Sequence, residues 1–138
     1  VSTGNGADLD LADLLAWIVE KFRAWSDCDG DPDIVFSRDR LLTNVMLYWL
    51  TQTITSSVRL YWESRQGGMW DEAPEFVRAP TGVARFPKED VLRFPRGWVE
   101  RQYNVTRWSV MPRGGHFAAM EQPELFADDL RAFFRTVR

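Results

Sequence analysis

The segment after Pro80 constrains this chain more than any other. PTGVARF at 80–86 is a short apolar run that opens on Pro80 and is followed by Pro87, and NVTRWSVM at 104–111 is a second run, rich in β-branched and aromatic residues. Both predict strands. KEDVLRF between them predicts a short helix. From Pro123, a proline at a first-turn position, Phe126, Leu130, Phe133, Phe134 and Val137 form one apolar face and predict a longer helix. Strand, short helix, strand and long helix is the order of right-handed β-α units in a parallel sheet. Two parallel strands do not make a stable sheet alone. The expected class is α/β with an incomplete sheet, residues 80–138 forming a β-α-β-α part of a larger core.

Residues 1–79 read differently. Residues 1–8 are small and polar and predict a frayed end. Leu11, Leu14, Leu15, Ile18, Val19 and Phe22 recur at helical steps and predict a helix over about 8–25. SDCDGDPD then breaks it. Its alternate aspartates resemble a calcium loop, but the twelfth position from Asp27 is Arg38 where a bidentate Glu is required, so a solvated loop is expected and no metal. Ser37 is placed to cap a second helix carrying Leu41, Leu42, Val45, Met46, Trp49 and Leu50. TQTITSS predicts a bend or break, followed by a short helix over about 56–64 that carries Tyr61. RQGGMWDEAPEF, with Gly67, Gly68 and Pro74, predicts a loop.

Composition removes several function classes. A net charge of −3 and a pI near 5.2 argue against a large basic surface for nucleic acid. One Cys and one His make neither an intramolecular disulfide nor a structural zinc site, and no cofactor is expected. The apolar runs fall far short of the roughly 20 residues a membrane span needs. VSTGNGADLD does not read as a signal peptide, and with the lone thiol this gives a cytoplasmic expectation. Seven Trp and nine Phe are an unusual aromatic load, and most are expected in packing.

The chemistry-bearing residues gather after the two expected strands. His116, in RGGHF, follows the second strand, where open α/β sheets collect catalytic groups, and Gly114 and Gly115 allow a tight turn there. Glu89 and Asp90 follow the first strand. A carboxylate there can hold one imidazole nitrogen and raise the basicity of the other. The residues alone also allow a histidine with no task and two acids that merely complement a helix dipole. Cys28, in an acidic loop with no nearby base, is not expected to act as a nucleophile.

Three motifs in one order, LLTNVMLYWLTQTITSSVRLYWE, PTGVARFPKED and RGGHFAAMEQPELFADDLRAFF, resemble the C-terminal part of α/β-hydrolase-fold epoxide hydrolases of the microsomal and juvenile-hormone type. The resemblance runs from about Leu11 to the end. It implies that 1–79 is a helical lid segment and 80–138 the last two strands and final helix of the core. It also implies a mechanism. An aspartate opens the epoxide to give an ester, a His-activated water hydrolyses it to a vicinal diol, and lid tyrosines donate to the epoxide oxygen. On this pattern His116 is the base, Glu89 the orienting acid with Asp90 as fallback, and Tyr61 one oxirane-activating tyrosine. Tyr48 and Trp49 are the aromatics expected to touch an apolar epoxide.

The family's nucleophile turn, oxyanion-hole motif and second lid tyrosine lie in segments that do not match these residues. The expected partner is therefore an N-terminal half of the core, or a second copy covering the apolar faces of the helices at 8–25 and 123–137. A haloalkane dehalogenase reading shares the aspartate and histidine logic, but Tyr61 in SSVRLYWE argues against it. A catalytically inactive truncated paralogue or fragment acting as an interaction module is the non-enzymatic alternative.

Overall fold

A computed structural model describes residues 10–66 and 75–137. The expected loop at Gly67, Gly68 and Pro74 and the residues 1–9 lie outside the described residues; Asp10 is extended, so the helix expected from about 8 begins at Leu11. Helix α1, Leu11–Trp25, opens on a reciprocal cap in which the Asp10 side chain accepts from the Asp13 N–H at 2.8 Å. A 3-10 turn at Pro32–Ile34 follows, and then α2, Arg38–Thr51, capped by Ser37 as its sequence implies. Leu14, Ile18 and Phe22 of α1 meet Leu41 and Val45 of α2 around the buried Phe36. This is the core of the N-terminal part. The α1 face expected to stay open is therefore covered by α2, because the 3-10 turn folds the second helix back onto it.

Gln52 ends α2 in the left-handed region, at φ 55°. The following helix, α3, runs Ile54–Gln66, longer at both ends than the expected 56–64. Ser56 and Ser57 donate their hydroxyls to the carbonyls of Thr53 and Ile54, so these side chains fold into the first turn and do not break it.

Strands β1, Val77–Arg85, and β2, Tyr103–Val110, pair in parallel, with Val83 opposite Trp108 and Arg85 opposite Val110. β1 begins upstream of the predicted 80, because Val77 already pairs with Tyr103; the ladder is irregular between Val77 and Pro80, and a proline has no N–H to give it. KEDVLRF is not helical. The Glu89 carboxylate takes the N–H groups of Val91 and Leu92, and Pro95 disfavours a helical residue before it, so α4 forms only at Arg96–Gln102. The short α5, Ala118–Glu121, and α6, Pro123–Phe134, complete the fold. Phe133 of α6 lies over Gly82 of β1, whereas Phe134 and Val110 remain open to solvent.

Candidate active site

Parallel pairing continues past the ends of the strands, and this sets the geometry of the site. The Met111 N–H donates to the Arg85 carbonyl at 2.8 Å, the Lys88 N–H donates to the Gly114 carbonyl at 3.0 Å, and Lys88 and Gly115 form an isolated parallel bridge. The next residue on each side is Glu89 and His116. Their side chains meet: Glu89 Oε2 lies 2.7 Å from His116 Nδ1, across 27 residues of chain. Asp90, the fallback acid, points away, 3.5 Å from Arg93 and 76 % exposed.

Glu89 is an acceptor at both oxygens. Oε1 receives the N–H groups of Val91 at 2.8 Å and Leu92 at 2.9 Å, leaving Oε2 for the imidazole. Burial pushes its carboxyl up, but the Leu92 N–H, the His116 ring and the Val91 N–H together outweigh burial and hold it below the ordinary carboxylate range. An ionised Glu89 accepts from Nδ1–H. The imidazole lone pair is then left on Nε2, the arrangement of a general base.

The ring is packed as well as hydrogen-bonded. Trp25 and Phe117 each present a ring at 5.1 Å from the imidazole in edge contacts. The turn that carries it needs both glycines. Gly114 sits at φ 108°, and a Cβ on Gly115 would fall 2.6 Å from the Trp25 carbonyl oxygen, so the end of α1 is in backbone contact with the His116 loop. Beside the pair lies a cavity of about 310 Å³, walled by the apolar Val83, Leu92, Phe94, Trp108 and Phe126.

Tyr61 stands on α3 and is 59 % exposed. Trp49 is exposed on α2, and Tyr48 packs against the α1–α2 core. None of these three lines the cavity beside His116. Two acids with no expected part, Asp27 and Glu121, face the His116 loop. Asp27 reads in sequence as one aspartate of a solvated loop, and Glu121 carries no pattern beyond its place in GGHFAAME.

The Glu89 shift has a consequence for acid unfolding. A carboxyl whose folded pKa is depressed contributes stability that is fully present above its unfolded value and is lost as pH falls through the folded value. The gap in urea midpoint between the native chain and Glu89→Gln should therefore be widest near neutral pH and should shrink below the carboxylate range. A gap independent of pH would remove the ionised Glu89 from this account.

No family model matches the chain. A protein of Stigmatella aurantiaca is 47 % identical over 128 residues, covering 89 % of this chain and 27 % of its own length. Epoxide hydrolase 1 of Sus scrofa is 46 % identical over 129 residues, covering 87 % of this chain and 28 % of its own. The crystal structure of juvenile hormone epoxide hydrolase from Bombyx mori superposes with a TM-score of 0.78 at 35 % identity, over 91 % of this chain and 33 % of that one. The chain thus spans between a quarter and a third of the length of these relatives.

Proposed function

We propose that this chain, which corresponds to the C-terminal part of the α/β-hydrolase-fold epoxide hydrolases, supplies the water-activating half of an epoxide-hydrolysing site. The observation that carries the reading is the Glu89–His116 pair, built where two parallel strands end and set beside a cavity with apolar side chains and Arg85 and Arg93 in its wall. In the complete site an aspartate from the N-terminal half of the core attacks one epoxide carbon. The C–O bond breaks, and an alkoxide develops that Tyr61 stabilises by donating its hydroxyl hydrogen. The product is an alkyl ester. His116 Nε2 then takes a proton from water as the oxygen attacks the ester carbonyl, and Glu89 stabilises the imidazolium through Nδ1–H. Collapse of the tetrahedral adduct breaks the ester C–O bond and returns the aspartate; of the two protons of the consumed water, one goes to the departing alkoxide and the one held on the imidazolium makes good the proton taken up at the first alkoxide, giving the vicinal diol.

The test uses the complete gene product with styrene oxide as probe. Diol formation is expected, and Tyr61→Phe should slow ring opening by on the order of 2 to 4 kcal/mol while leaving ester hydrolysis intact. The phenyl ring still fills its place, so the defect is graded. No diol from the complete gene product would overturn the reading, and a Tyr61→Phe protein with native ring opening would remove Tyr61 from it.

A further inference from the structure

We propose that Glu121 is a positioning residue for His116, holding the base in register with Glu89 through the backbone of its loop. The inference rests on the reading of His116 as a base and assigns the device that aims it. Four consecutive amides of the loop are each committed to one acceptor. Gly114 N–H donates to Asp27 Oδ2 at 2.8 Å, Gly115 N–H to Glu121 Oε2 at 2.8 Å, His116 N–H to the Trp25 carbonyl at 2.9 Å, and Phe117 N–H to Glu121 Oε1 at 2.9 Å. Glu121 Oε2 also takes the Asp27 N–H at 2.8 Å. The two oxygens of one carboxylate thus straddle His116, while Asp27 closes a ring back to Gly114.

Glu121 is 8 % exposed, and among the described residues no Lys, Arg or His nitrogen lies within ion-pair distance of it. Burying a carboxylate without a cation is unfavourable unless hydrogen bonds replace its water. Three N–H donors on two oxygens do so, and they require an acceptor at each oxygen. A glutamine has one acceptor oxygen and one NH2 group, which would face N–H donors. The same clamp joins residues 25–27, at the end of α1, to the base.

The complete gene product carrying Glu121→Gln tests this. Amide exchange at Gly115 and Phe117 should quicken at least tenfold. The downfield proton resonance of the His116–Glu89 hydrogen bond should broaden or vanish, as it should in Glu89→Gln. With styrene oxide, ester hydrolysis should slow at least tenfold while the ester-forming burst stays within about twofold. A lowered Tm with that resonance and the hydrolysis step both retained would mean that Glu121 only stabilises the fold, and would overturn the proposal. Should Glu121→Gln not fold, Glu121→Asp keeps the charge but is one methylene too short to hold the Gly115 and Phe117 amides together, and should quicken exchange at both and weaken the same resonance; a folded Glu121→Asp with exchange and resonance unchanged overturns the proposal. Exchange and resonance need no turnover. Faster exchange and a lost resonance in a protein that hydrolyses no epoxide would keep the positioning role and dismiss the epoxide reading.

Discussion

Replacing His116 by alanine should leave the complete gene product able to react once with an epoxide and then stop. The two covalent steps make different demands. Ring opening needs a carboxylate in line with the epoxide carbon and donors for the developing alkoxide, and it needs no base. Ester hydrolysis needs a proton removed from water, and well-placed general bases contribute about 10² to 10⁴-fold. Turnover should fall by roughly that factor, and intact-mass measurement should find one epoxide mass added per active site. Glu89→Gln should cost a comparable amount. The carboxylate accepts at both oxygens, whereas a glutamine whose oxygen keeps the Val91 and Leu92 N–H groups turns its NH2 toward Nδ1, favouring the wrong tautomer and removing the negative charge facing the forming imidazolium. Native turnover in His116→Ala, or failure to form the adduct at all, would assign the histidine another role.

Why the Glu89–His116 pair was legible in sequence and the Glu121 clamp was not follows from how each is built. Glu89 and His116 both follow an apolar strand-like run, and strand ends are where parallel sheets place chemistry, so the sequence puts them near one edge. The motif resemblance narrows that edge to a pair, and the bridge between Lys88 and Gly115 brings it about. KEDVLRF reads as helical because its polar and apolar spacing fits a helical turn. Spacing does not register that a carboxylate can take the N–H groups of Val91 and Leu92 for itself. The same blindness hid Glu121 and Asp27, whose partners are backbone amides up to 94 residues away. Side-chain patterns carry no mark of such contacts. The period of the α1 segment marks a helix but not its cover, since an apolar stripe says that something packs on it and not what.

Phe36→Ala should cost about 3 to 5 kcal/mol, among the largest stability losses open to a single substitution in this chain. Phe36 is 1 % exposed and sits just before the Ser37 cap, with α1 on one side and α2 on the other. Its ring meets Phe22 edge-on at 5.1 Å, and Phe22 stacks on Phe117 at 4.3 Å. A cavity there cannot collapse easily, because the helices around it are tied by Leu14, Ile18, Leu41 and Val45, each close to fully buried. The loss also reaches the site, since Phe117 adjoins His116 and its ring is one of the two packed against the imidazole. Phe134→Ala supplies the contrast. That side chain is 54 % exposed at the end of α6 and should cost well under half as much. Urea unfolding followed by tryptophan fluorescence separates the two, given seven tryptophans as reporters. Equal losses would mean that the packing on α6 matters as much as the α1–α2 core. In that case the order of stability in this chain would run from the sheet outward, and not from Phe36 to the base.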